Sequence, residues 1–191
     1  GAAYSAPVAN TDDRVLWLAA AEVAFCRAEG AMLGWAMGGT AEQFYNEGVK
    51  LSFDQWGVSG YDTYITDDTS KPANYTDPNK TGTIGAQNKI TIKWVDTADE
   101  EDKLARIITQ KWIALWPLGQ EAWSEHRRTG YPIFFPLGST TTPNIKVASR
   151  LPFSIDEKKN NTENVTEAIR MLNGEDDYAT RLWWDAKNNK K

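Results

Sequence analysis

Ile107-Ile108-Thr109-Gln110-Lys111-Trp112-Ile113-Ala114-Leu115-Trp116-Pro117 is the stretch whose reading decides the fold class, together with Leu118-Gly119-Gln120-Glu121-Ala122-Trp123-Ser124-Glu125-His126-Arg127-Arg128-Thr129-Gly130-Tyr131-Pro132. Leu104, Ile108, Trp112 and Leu115 recur at helical spacing, with Ile107 and Trp116 widening the stripe, so an amphipathic helix is expected. Thr97-Ala98-Asp99-Glu100 reads as its capping box, and the acids from Asp99 to Asp102 suit the positive end of the helix dipole. Pro117 removes a backbone donor and turns Trp116 away from helical geometry, so the helix should stop or kink there. A shorter helix then carries Trp123 and the Glu125…Arg128 pair, closed by Thr129-Gly130 with Pro132 just beyond. Trp112, Trp116 and Trp123 read as core, because they share a face with Ile108 and Leu104.

Upstream, residues 1 to 10 form a polar lead-in, and Thr11 or Asp12 can cap a helix running to about Met37. Its alanines (Ala19, Ala20, Ala21, Ala24, Ala28, Ala31) permit close approach of a neighbour. Cys26, beside Phe25, reads as a small buried hydrophobe rather than a nucleophile. Gly38-Gly39 should break this helix, and Thr40-Ala41-Glu42-Gln43 is a capping box opening a second one to about Trp56. Two helices joined by a tight turn make one tetratricopeptide-type hairpin, and the repeat does not recur in the chain.

Gly57 to Lys89 is rich in Gly, Asp, Thr, Asn and Pro, several times longer than a usual loop of roughly 4–6 residues. Tyr61, Tyr64 and Tyr75 lie within it and are the candidate ligand-binding residues. A sugar stacks its apolar face on an aromatic ring while nearby Asp or Asn accept its hydroxyl protons. The plainer reading makes these tyrosines local packing anchors. Asp62, Asp67, Asp68 and Asp77 are candidates for calcium but lack EF-hand spacing. Ile90-Thr91-Ile92-Lys93-Trp94 alternates like a short strand or extended segment. Beyond Phe134 comes an irregular crossing with Thr140-Thr141-Thr142-Pro143 at its tip. Ser154 can cap a short helical turn, and Asn161 or Thr162 begins a last helix through Leu172, ended by Asn173-Gly174. Thr180 to Asp185 should dock, since Trp183 and Trp184 would otherwise leave an adhesive end. Lys187 to Lys191 reads as a solvated terminus.

Composition narrows the function classes. The 191 residues carry a net charge of −5 with 25% charged residues, which argues against a nucleic-acid partner. No apolar run reaches the roughly 20 residues that span a bilayer. One histidine and one cysteine leave no catalytic triad and no His/Cys metal cluster, so no cofactor and no catalytic residue is expected. His126 reads as an exposed helical histidine. Glu121 and Glu125 share a helix face and resemble a glycosidase pair only superficially. Glu125 is placed to pair with Arg128, and catalytic carboxylates usually face each other across a cleft. Asn-x-Thr sequons begin at Asn74, Asn79, Asn160 and Asn164 and read as a Thr- and Asn-rich surface.

Three ordered blocks carry a family resemblance. The first is AEVAFCRAEGAMLGW, residues 21 to 35, continuing into YNEGVKLSFDQWG, residues 45 to 57. The second is IITQKWIALWPLGQEAWSEHRRTGYPIFFP from Ile107, and the third runs from RLPF at Arg150 through NNTENVTEAI to DDYATRLWWD at Asp185. Together they resemble the SusD/RagB family of outer-membrane nutrient-binding lipoproteins of Bacteroidetes. The resemblance implies a mainly α, SusD-like helical fold with a tetratricopeptide-type hairpin, long irregular loops and little or no β. Residues 1–191 then form a single C-terminal portion of such a domain: hairpin over 12–57, long loop segment over 58–97, signature helices and docking segment over 98–185. It further implies capture of a glycan or other nutrient, a SusC-like TonB-dependent transporter as partner, and a surface-exposed outer-membrane position. The lipid anchor would sit in an N-terminal part absent from this chain. Arg127, Arg128 and Gly130 are signature residues read as architectural, with no ligand role carried onto them. The resemblance points to a non-catalytic binder; a helical protein–protein interaction module and, behind it, a glycoside hydrolase are the alternatives.

Overall fold

Thr40 shows how directly the sequence sets local structure in the computed structural model, which describes residues 12, 15–76, 82–135 and 147–185. Its hydroxyl accepts from the Gln43 amide while the Gln43 side chain accepts from the Thr40 amide, so the expected capping box opens a helix. That helix, α2 (Ala41–Trp56), closes at Gly57 in the left-handed conformation. The preceding helix is shorter than expected: α1 spans Ala20–Met32, with no side-chain cap at Ala19. It ends not at Gly38-Gly39 but at Gly34, whose φ of 81° lets Gly34 N–H reach Ala31 and Trp35 N–H reach the Gly30 carbonyl. This paired arrangement is a Schellman motif, and the sequence reading overlooked it.

Compact folding divides the chain into two units, Gly1–His126 with Tyr131–Phe135, and Arg127–Gly130 with Pro136–Lys191. In the first, α1 crosses α2 so closely that a Cβ on Gly48 would lie 2.8 Å from the Phe25 ring. Phe25 meets Tyr45 edge-on at 6.1 Å, and Tyr45 meets Trp94 at 5.4 Å. Against this hairpin packs α4 (Glu100–Ala114), which brings in the fully buried Ile107 and Ile108, with Leu115 just beyond its end. Enclosing each such side chain contributes about 1.5–3 kcal/mol. The cap of α4 is Asp99, accepting from the Asp102 amide, rather than a box begun at Thr97. The helix stops where expected, at a cis Trp116–Pro117 peptide, and α5 (Gly119–Thr129) follows, closed by Gly130 at φ 80°.

Between α2 and α4 the long segment is more structured than a loop. Tyr61–Ile65 form a short helix, α3, and β1 (Tyr75–Thr76) pairs antiparallel with β2 (Thr83–Ile84). Residues 90–94 do not make a strand. Ile90 N–H is held by the Asn88 side chain and Lys93 N–H by the Asp67 carbonyl, so these backbone groups are satisfied without a sheet partner.

The second unit contains α6 (Ile155–Asn160), capped by Ser154 as expected, and α7 (Thr162–Leu172), ended by Asn173 at positive φ. Its centre is polar. Asp176 takes ion pairs from Arg150 and Lys158, each at 2.6 Å, and the Phe153 amide. Contrary to the docking expectation, Trp183 is 93% exposed. Arg127 does lie 5.0 Å over the Trp184 ring. Residues 1–11, the Thr140–Thr142 tip, Asp77, Asn79 and the terminal lysines lie outside the described residues. The architecture is mainly α, with four described residues in strands.

Candidate functional site

Ile107, Lys111 and Leu115, spaced four apart, centre the buried stripe of α4, with Ile108 and Ala114 beside them. That places Trp112 and Trp116 at the edge of the stripe, and both are exposed, Trp112 by 37%. The expected core placement of Trp112 and Trp116 is therefore corrected, while Trp123 is half-buried: Lys111, not Trp112, takes the central place. Trp112 turns instead into a cavity of about 530 Å³ formed within the first unit. Its walls come from residues 70–72, the run from Ala86 to Ile92, α4, and residues 132–135.

One wall is aromatic. Trp112 meets Phe134 edge-on at 5.4 Å, His126 lies 4.5 Å from Phe134 on α5, and Phe135 meets the exposed Tyr75 at 5.9 Å. The lining also carries amides. Asn88, buried, donates to Thr109 Oγ1 at 3.3 Å and accepts from Ile90 N–H at 3.0 Å; beyond these bonds its amide has one further hydrogen and one further lone pair. Tyr64 and Gln110 are mutually bonded, hydroxyl to amide, at about 3 Å. Burial pushes the Tyr64 phenol above its ordinary range, so it stays neutral there. Lys71 stands at the mouth, on a turn fixed by Asp67. Hydrogen bonds from Ser70 and Thr69 hold that carboxyl well below the usual carboxylate range. Flat apolar faces beside a few amides suit the C–H face and hydroxyls of a sugar.

The candidate tyrosines separate. Tyr64 lines the cavity, and Tyr75 reaches its edge through Phe135. Tyr61 does not belong to it: its ring packs on Phe53 at 6.0 Å and its hydroxyl donates to the Asn46 carbonyl. Sequence reasoning missed Trp112, Phe134 and Asn88; the Ile133-Phe134-Phe135 run was the available signal.

Glu125 is bound at 2.7 Å by Lys111, whose side chain is 3% exposed, and Glu22 lies 3.7 Å from the same ammonium. Burial works against the charged lysine, but the Glu125 partner outweighs it and its pKa is raised. Cys26 is exposed, not buried, with Sγ 3.4 Å from Lys111 Nζ. His126 is half-buried rather than exposed; burial lowers its pKa, opposed by the contact of Nδ1 with the Pro132 carbonyl at 3.2 Å. Among the described residues no group of three His, Cys, Asp or Glu side chains is placed to hold a metal.

The family model described as SusD-like, the Susd and RagB outer membrane lipoproteins, matches residues 1–185. The chain belongs to the SusD/RagB family. Among curated proteins none matches. A SusD homologue from Bacteroides uniformis is 48% identical with a TM-score of 0.86, over 94% of this chain and 39% of that one. A chitin-binding SusD homologue from Flavobacterium johnsoniae is 47% identical with a TM-score of 0.80, over 88% of this chain and 36% of that one. A third, from Bacteroides thetaiotaomicron, is 41% identical with a TM-score of 0.85, over 95% and 40%. This SusD-like chain thus spans about two-fifths of the length of the relatives it matches. No described helix of it is long and apolar enough to cross a membrane.

Proposed function

We propose that this SusD-like chain belongs to a non-catalytic glycan-binding protein of an outer-membrane uptake system. It faces outward, is lipid-anchored, and delivers ligand to a SusC-like TonB-dependent transporter. The observation that carries the reading is that the aromatic side chains of Trp112, Phe134 and Phe135 and the amide of Asn88 line one cavity. A volume of about 530 Å³ suits one or two sugar rings. The chitin-binding relative supports a carbohydrate ligand, and the family description supports the outer-membrane position. Glu125 is committed to Lys111, which speaks against its acting as half of a hydrolytic pair.

Calorimetry of the full-length protein against chito-oligosaccharides and other polysaccharides tests this reading. Trp112→Ala should weaken the bound glycan about tenfold, the equivalent of about 1.4 kcal/mol, with no reducing-sugar release by either protein. Binding of peptides and of no glycan would overturn it.

A further inference from the structure

Four isoleucines, Ile90, Ile92, Ile113 and Ile133, line the same cavity as Trp112, Phe134 and Phe135. The aromatic faces suit a sugar ring, but the isoleucines do not. A branched aliphatic side chain has no flat face for a ring, and a hydroxyl pressed against it gives up water without a replacement. Ile113 and Ile133 are exposed, so they present apolar surface to the cavity rather than filling the core.

The polar groups of the lining are partly committed. Tyr64 and Gln110 are bonded to each other, Gln87 donates to the Gly85 carbonyl, and the Thr109 hydroxyl accepts from Asn88. Asn88 keeps one amide hydrogen, a donor suited to a single carbonyl oxygen. Among the described residues of the lining there is no Asp or Glu, and Lys71 is the one charged side chain, so a carbonyl oxygen meets no carboxylate there. A group with an apolar body and one acceptor matches this combination better than a further ring of hydroxyls does. An acyl group has that form.

We propose, resting on the glycan-binding reading of this cavity, that the ligand is an acylated glycan whose acyl group enters among the isoleucines. A sugar ring takes the aromatic faces, and the acyl carbonyl accepts the remaining Asn88 hydrogen. The acyl group is carried either on nitrogen, as in an acetamido sugar, or on oxygen, as an ester. Both present the same methyl and carbonyl to the lining.

Calorimetry of the full-length protein with two matched pairs separates these sources. One pair is chitohexaose against cellohexaose, which differ by acetamido for hydroxyl; the other is an O-acetylated xylo-oligosaccharide against the same material de-esterified with mild alkali. The acylated member of one pair should bind about tenfold tighter than its acyl-free partner, from one buried methyl and one hydrogen bond. Saturation-transfer NMR on that ligand should place the strongest transfer on the acyl methyl. Ile113→Asn and Ile133→Asn, each checked for an unchanged melting temperature, should narrow the gap about threefold while leaving the acyl-free affinity as it was. Equal affinity within both pairs, or binding of unacylated glycans alone, would overturn the proposal and leave glycan binding standing. So would a gap that survives both substitutions. Binding of no glycan at all would remove the broader reading together with this one.

Discussion

In the first unit Phe25, Tyr45, Ile107 and Ile108 are fully enclosed, and Lys111 is fitted into the edge of that core with Glu22 and Glu125. In the second, Val165 is the one buried apolar side chain among the described residues, and Asp176 with Arg150 occupies the place a core would take. Both units contain an enclosed ion pair, but the pair has different weight in each. An enclosed pair adds little beside well-packed apolar residues of the same volume, whereas removing one partner leaves the other uncompensated. The first unit can lose its lysine and keep its hydrophobic centre. The second has little else to hold Arg150, Phe153 and the turn at residues 176–180 together.

That contrast fixes the order of effects. Asp176→Ala should cost about 3 kcal/mol, the low end for a buried pair because Lys158 reaches the carboxylate from solvent. Hydrogen exchange followed by mass spectrometry should show residues 147–185 opening while α1, α2 and α4 keep their protection. Equal opening of both units would remove the distinction. Lys111→Ala should cost about 2 kcal/mol, less because Glu22 and Glu125 lie near the rim and water can reach them once the lysine is gone. The loss should appear as a lower urea midpoint with the slope preserved.

Acid should separate the units as well. Burial alone would raise the Asp176 carboxyl, but hydrogen bonds from Lys158, Arg150 and the Phe153 amide prevail and hold it at about 2. A carboxyl lowered on folding contributes stability that is present above its unfolded value, about 4, and is lost as pH falls towards 2. His126 is lowered too, by burial, so the unfolded chain takes up a proton first and the first unit weakens as pH falls below about 6.5. Chemical shifts of residues near His126 should therefore respond at higher pH than those near Asp176. The smallest effect expected is that of Thr40→Ala, about 1 kcal/mol for a lost helix cap, confined to fraying at the start of α2.

The legible parts of the fold share a cause. Thr40 with Gln43, Ser154 with Glu157, Pro117, Gly130 and Asn173 act on backbone groups within a few residues, so their spacing alone predicts where helices begin and end. The misreadings share a cause too. The end of α1 at Gly34 was hidden because Gly38-Gly39 offered a louder signal a few residues on. Of the candidate tyrosines, only the environment separates Tyr61, anchored on Phe53 and Asn46, from Tyr64 on the cavity wall. Trp112 read as core because period alone cannot distinguish the middle of a buried stripe from its edge.

By itself the sequence determined a mainly helical chain, the hairpin of α1 and α2, the stop at Pro117 and membership of the SusD/RagB family, since each rests on residues near one another or on ordered motifs. Only the tertiary structure decided that Lys111 lies inside and Trp112 outside, that Cys26 is exposed, and that Arg150 finds its carboxylate at Asp176. Those outcomes depend on which distant segment covers a side chain, and burial of that kind is set by packing between elements, not by the residues that flank it in the chain.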